Sequence, residues 1–174
     1  KRYRLNVWIQ AEDAFLDVDL WRALDEAPGE EALREWDAYG GLDLASTTDL
    51  AAFALVFCHP VDPVWFVKCW QWCPEETARR RQDEDGVPYL TWAREGWLEL
   101  TPGNVIDYDV IRRRVIDLGE EYRVQEIAYD PWNATQLAVQ LEGEGFTLVQ
   151  MRQGFRSMSE PTKELERRVL SGTI

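Results

Sequence analysis

The sequence predicts an α/β fold: a mixed central β-sheet flanked by helices. Three observations carry this. Between Gly40 and Trp72, short apolar runs rich in strand formers are separated by turn residues. From Asp107 onward, helix-periodic segments alternate with short apolar runs. The length of 174 residues, 45% of them apolar, suffices for one packed core, alone or with an appendage. Antiparallel strands followed by strand–helix alternation place both kinds of pairing in a single sheet.

Residues 1–39 read as an appendage, expected to join an upstream domain. Leu5, Val7 and Ile9 alternate with other residues beside Trp8. Val18, Leu20, Trp21, Leu24, Leu33 and Trp36 then recur at loose helical spacing, broken by Pro28-Gly29. A buried strand is predicted at 40–44, a tight polar turn at 46–49, and a second apolar strand at 50–57. Residues 64–72 (Val-Trp-Phe-Val-Lys-Cys-Trp-Gln-Trp) form a third strand closed by Pro74. The charged stretch 75–86 is expected to be exposed. Residues 89–100 suggest a small hairpin around Glu95-Gly96, with Trp92, Trp97 and Leu98 packing onto the body.

The spacing predicts a helix over 107–118, with Asp107 as its N-cap, Ile111, Val115 and Leu118 facing inward, and Gly119 as its stop. A buried strand over 124–129 ends in Asp130. A second helix covers 131–142, with Ala134, Leu137, Ala138 and Leu141 on one face. A strand over 146–151 and a helix over 159–170 complete the chain.

Composition narrows the function. The net charge of −13 argues against a free-standing nucleic-acid binder. The charge is unevenly placed, however. Residues 11–38 hold ten acids and two bases, whereas from Gly145 onward five bases (Arg152, Arg156, Lys163, Arg167, Arg168) face three acids. No apolar run reaches the ~18 residues of a membrane span, and Lys1-Arg2-Tyr3-Arg4 precedes no signal-like apolar stretch. Cys58, Cys69 and Cys73 lack the paired spacing of a zinc site, and His59 alone makes no metal cluster. Cys69 and Cys73 are expected in the core.

Two acids draw attention. Asp43 sits among Leu42, Leu44 and the apolar run after Leu50, so its surroundings are expected to be buried. A buried carboxylate is costly unless a cation or several hydrogen bonds offset its desolvation; an Asx cap over Ser46–Thr48 would serve equally. Asp130 ends a strand, and Asp-Pro at a helix start is also an ordinary N-cap with proline at N1. If the first and fourth strands are neighbours, both carboxylates share one sheet edge. Such a pair repels unless divalent cations lie between its members, the arrangement that two-metal phosphodiester hydrolysis requires.

Gly40-Gly41-Leu42-Asp43-Leu44-Ala45-Ser46-Thr47-Thr48-Asp49-Leu50 is followed in order by Asp85-Gly86-Val87-Pro88-Tyr89, Gly103-Asn104-Val105-Ile106-Asp107 and Ala128-Tyr129-Asp130-Pro131-Trp132-Asn133. Gln153-Gly154-Phe155 and the segment from Met158 to Glu166 come last. This ordered set resembles the C-terminal nuclease domain of the large terminase subunit of tailed bacteriophages, over residues 40–174. The resemblance implies a ribonuclease H-like fold and a Mg²⁺- or Mn²⁺-dependent endonuclease that cuts concatemeric DNA during packaging. Its partners would be double-stranded DNA and, in the full-length protein, other terminase subunits and the portal, in the host cell cytoplasm and without a membrane. The family's first two catalytic aspartates map to Asp43 and Asp130.

The family's third catalytic acid lies downstream of the Lys163-Glu164-Leu165-Glu166 helix, so it is expected beyond Ile174, and the chain is read as truncated there. Glu160, Glu164 and Glu166 are expected to be solvated. The chain contains no G-x-x-x-x-G-K-[ST] motif. Asp49 either reaches the metal site or closes the turn, with the turn favoured. Asn133 and Gln153 are candidate substrate contacts, and Arg152, Arg156 and Lys163 candidate phosphate contacts. Two rival readings share the pattern: an actin-like or sugar-kinase-type ATP-binding domain, using Asp43 to Thr48 as a phosphate turn, and a non-catalytic packaging-motor docking module.

Overall fold

The computed structural model describes residues 15–24, 27–44 and 49–174. The predicted alternation around Leu5 to Ile9 and the Ser46–Thr48 turn lie outside the described residues. The elements in order are α1 (Val18–Arg22), α2 (Glu30–Glu35), β1 (Asp37–Asp43), β2 (Ala51–Cys58), β3 (Trp65–Pro74), α3 (Glu75–Asp85), α4 (Tyr89–Arg94), β4 (Glu99–Thr101), α5 (Tyr108–Glu121), β5 (Arg123–Tyr129), α6 (Pro131–Gly143), β6 (Leu148–Gln150) and α7 (Phe155–Ser171).

The strands form a six-stranded sheet in the order β4-β3-β2-β1-β5-β6. β1, β2 and β3 are an antiparallel meander. β5 joins β1 in parallel, β6 joins β5 in parallel, and β4 joins the end of β3 in parallel. Period-2 alternation sets the faces. In β2, Ala51, Phe53, Leu55 and Phe57 are buried and the residues between them only half-buried. That buried face packs against Ile111, Val115 and Leu118 of α5 and Ala134, Leu137, Ala138 and Leu141 of α6, the helix faces that the spacing predicts. Gly40 permits this packing: a Cβ there would lie 2.9 Å from Ile127 Cγ1 and 3.1 Å from Phe53 Cε2.

β5 carries one irregularity. Ala38 pairs with Val124 but Tyr39 pairs with Glu126, so Gln125 is an extra residue in the ladder. Its side-chain amide donates to Asp37 Oδ1 (3.2 Å) and to the Arg123 carbonyl (3.1 Å). Beyond it, Ile127 and Tyr129 point into the core and pair with Gly40 and Leu42.

Several expectations need correction. The stretch 75–86 is largely the helix α3, with Thr77 and Ala78 buried, ion pairs Glu75–Arg79 and Arg80–Glu84 along its exposed side, and Gly86 closing it at φ 69°. The 89–100 hairpin is instead α4 followed by β4. Tyr89 and Trp92 are one turn apart, their rings edge to face at 5.4 Å, and the Glu95-Gly96 turn ends a helix. Trp97 is 70% exposed rather than packed down. Gly119 does not stop α5. It admits the Phe146 ring, whose Cζ would be 2.4 Å from a Cβ at 119. α7 starts at Phe155, not 159, because Ser157 closes its first turn, accepting from the Gly154 N–H (3.2 Å); Pro161 then falls inside the helix. Cys73 is buried as expected, but Cys69 faces solvent on the opposite side of β3 from Lys68 and Trp70. The first strand opens at Asp37, and Leu33 of α2 belongs to the main core.

Candidate active site

The acid pair is a product of strand register. In β1, Ala38, Gly40 and Leu42 turn inward while Asp37, Tyr39 and Asp43 turn outward. Asp43 is therefore exposed, which corrects the expectation of a buried carboxylate: its neighbours Leu42 and Leu44 are buried at 3% and 4% exposure. Leu42 pairs with Tyr129 across the parallel ladder, so the next residues, Asp43 and Asp130, follow side by side. Asp130 is still extended, at φ −79° and ψ 120°. One strand spacing, about 4.8 Å, separates the two chains at this edge. The carboxyl ends of neighbouring parallel strands thus bring together two acids far apart in sequence.

Asp130 is also the N-cap of α6: its Oδ1 accepts from the Trp132 N–H at 3.0 Å, with Pro131 at the first helical position. Capping uses one lone pair of a carboxylate that has about four. Asp43 makes no hydrogen bond or ion pair among the described residues.

Asp49 is tied elsewhere. Its Oδ1 accepts from the Leu50 N–H (3.0 Å) and from Arg81 Nη1 of α3 (2.9 Å). The Leu50 N–H and then the Arg81 guanidinium hold its carboxyl below the usual carboxylate range. Arg81 also reaches the Tyr89 hydroxyl (3.4 Å), so it clamps the start of β2 to α3 and α4. Sequence reasoning missed Arg81 because it lies in a charged run that looked merely solvated.

The remaining candidates divide. Asn133 falls in the first turn of α6, one turn from Asp130; its side chain lies outside the described residues. The Met151 N–H donates to the Tyr129 carbonyl (2.8 Å), so the chain leaving β6 passes beside Asp130. Exposed Arg152 and Gln153 come next, and Arg156 stands in the first turn of α7. These residues share the sheet end with the acids. Lys163 stands further along α7, on its solvated side, and pairs with Glu160 at 3.1 Å.

Glu164, expected to be solvated, is held by Arg167 (2.7 Å) and Arg168 (2.8 Å), which lower its pKa to about 2. Arg168 is itself buried, stacked 3.3 Å from the Trp65 ring centre and donating to the Pro63 carbonyl. Trp65 pairs with Cys58 and Cys58 with Asp37, so this cluster marks the opposite end of the sheet from Asp43. Among the described residues no group of three or more His, Cys, Asp or Glu could hold a metal ion. Two carboxylates fit one Mg²⁺-like ion completed by water and phosphate oxygens; they do not by themselves fix a second.

A mixed sheet of this order, with helices against it and acids at the ends of its central parallel pair, is a ribonuclease H-like nuclease fold. The family described as "Terminase large subunit, endonuclease domain" matches residues 1–174, and the chain belongs to it. The chain is 30% identical, over its whole length, to the "Terminase, large subunit" of Enterobacteria phage HK97, covering 34% of that protein. It is 27% identical to "Protein YmfN" of Escherichia coli (strain K12), over 99% of the chain and 40% of that protein. The solved "Crystal structure of the HK97 bacteriophage large terminase" superposes with a TM-score of 0.80 at 30% identity, covering 91% of this chain and 33% of that one. The chain thus spans between a third and two fifths of the length of these relatives. Among the described residues no helix is long and apolar enough to cross a membrane.

Proposed function

We propose that this domain is a divalent-metal-dependent endodeoxyribonuclease that cuts concatemeric viral DNA for a packaging terminase. The observation that carries the reading is the in-register placement of Asp43 and Asp130 at the ends of β1 and β5. Mg²⁺ or Mn²⁺ between them would lower the pKa of a bound water and stabilise the leaving oxygen of a phosphodiester. Asp43 offers an exposed carboxylate for this, and Asp130 offers lone pairs beyond the one its cap uses. Asn133, Arg152, Gln153 and Arg156 orient the strand being cut. Fixing a second ion takes a further acid beside this pair. The longer protein joins this domain to an ATPase through the segment ahead of the core, and meets other terminase subunits and the portal in the host cytoplasm. Family membership gives no support to the ATP-binding alternative, which also needs a second glycine-rich phosphate loop that the Asp130-Pro131-Trp132-Asn133 turn does not supply.

The test is plasmid nicking in Mn²⁺ at low salt, with this chain beside a version extended through the following acidic segment. The short chain should nick poorly, and the extended one efficiently unless it carries Asp43→Ala or Asp130→Ala. Cutting untouched by either substitution would move the site elsewhere. No cutting by either form would favour the docking-module reading.

A further inference from the structure

The end of the sheet that holds the acids also holds two of the most solvent-exposed aromatic side chains in the described structure. Trp132 is 87% exposed and Phe155 is 96% exposed. Each begins a helix shortly after the paired residues Tyr129 and Gln150 of adjacent parallel strands, so they flank the same edge. Rings in water are costly, and neither contributes to the main core, to which α6 supplies Ala134, Leu137, Ala138 and Leu141. Between residues 147 and 159 the chain carries Arg152 and Arg156 and no acid, although its net charge is −13. Neither arginine makes an ion pair among the described residues. Cations free for phosphates beside rings free for stacking are the combination that binds unpaired nucleic-acid bases.

Resting on the nuclease reading above, we propose that Trp132 and Phe155 form, with Arg152 and Arg156, a rim that stacks on unstacked bases next to the scissile phosphate, so that the site favours locally opened duplex DNA over intact duplex. The arginines hold the backbone without regard to sequence, and the rings engage bases only where stacking within the duplex has been lost. The acid pair lies at the same sheet end, with Asp43 closing β1 and Asp130 capping α6.

The experiment measures fluorescence anisotropy of a labelled duplex, fully paired or carrying a central run of mismatches, in EDTA at low salt. Metal is absent, so the outcome does not depend on cleavage. This chain should bind the mismatched duplex more tightly than the paired one. Trp132→Ala and Phe155→Ala should each weaken mismatched binding by about fivefold to a hundredfold, the effect of one lost base stack, and leave paired binding nearly unchanged. Trp132→Phe should keep most of the preference. Arg152→Ala with Arg156→Ala should weaken both duplexes alike and flatten the salt dependence. Both rings are exposed, so the melting temperature should not move, which separates lost stacking from misfolding. An unaltered preference in the Trp132→Ala/Phe155→Ala double variant, or no preference in the parent chain, overturns the proposal. So does a double variant that loses only self-association on a sizing column, since the rings would then serve a protein contact. The nuclease reading stands or falls separately, on metal-dependent nicking.

Discussion

Replacing Asp43 or Asp130 by asparagine should remove the stabilisation that Mn²⁺ gives this chain. Asparagine keeps the size of the side chain and, at 130, the acceptor that caps α6, because Asn caps about as well as Asp; Asp130→Ala would confuse the result by losing the Trp132 N–H bond. A ligand at a hundredfold excess over its Kd stabilises the native state by about 2.7 kcal/mol. For a domain of this size each kcal/mol moves Tm by roughly 2–4 °C, so the increment should be about 5–10 °C. The metal-free baseline also shifts. Like charges on neighbouring strands, one exposed and one half-buried, repel by roughly 1 kcal/mol in high dielectric at about 4–5 Å, so either variant should be slightly more stable than the parent without metal. The quantity to compare is therefore the rise in Tm on adding Mn²⁺, by scanning fluorimetry at fixed pH and salt. An increment of the same size in parent and both variants would refute the shared site.

Asp49→Asn should leave that increment intact, because Arg81 and the Leu50 N–H already occupy its Oδ1; a lost increment would make Asp49 a ligand. Gly119→Ala should destabilise by about 1–3 kcal/mol in denaturant unfolding despite the better helix propensity of alanine, since its Cβ would meet Phe146 at 2.4 Å. Phe146→Leu in the same background should recover part of the loss. Glu164, with its folded pKa lowered from 4.5 to about 2, contributes stability that is present above 4.5 and lost as pH falls towards 2. The Tm gap between the parent and Glu164→Gln should close across that window, and a gap independent of pH would contradict the ion-pair account.

Much of the fold could be read from the residues because local signals and packing agree. The apolar spacing of Ile111, Val115 and Leu118, and of Ala134, Leu137, Ala138 and Leu141, marks the faces that cover the sheet. The caps Asp107 and Asp130 stand where helix-start chemistry puts them. Where local charge or turn residues misled, tertiary packing decided. Glu75–Asp85 is helical because Thr77 and Ala78 bury one face, and Tyr89 and Trp92 form a satellite cluster with Leu98 and Cys73 instead of a hairpin. At the site, sequence picked out the two acids but not their exposure. Leu42 and Leu44 are buried, and strict alternation sends the residue between them to the opposite face. The adjacency of β1 and β5 belongs to topology, and no local pattern encodes it. Arg81 was illegible for the same reason: its partner Asp49 becomes a neighbour only once α3 folds back against β2.

The extra residue Gln125 makes the geometry of the acid pair discrete. In an unbulged ladder Tyr39 would face Gln125, Leu42 would face Ala128, and Asp43 would stand opposite Tyr129, whose side chain points to the other face. The alignment of the two carboxylates is thus set near the far end of the ladder, by a residue whose side-chain amide is anchored to Asp37 and the Arg123 carbonyl. Such a site has no gradual adjustment. Its settings are whole residues, each worth about 3.3 Å and a flip of face, so a single codon gained between Glu126 and Tyr129 would dismantle the centre while leaving every residue in it unchanged.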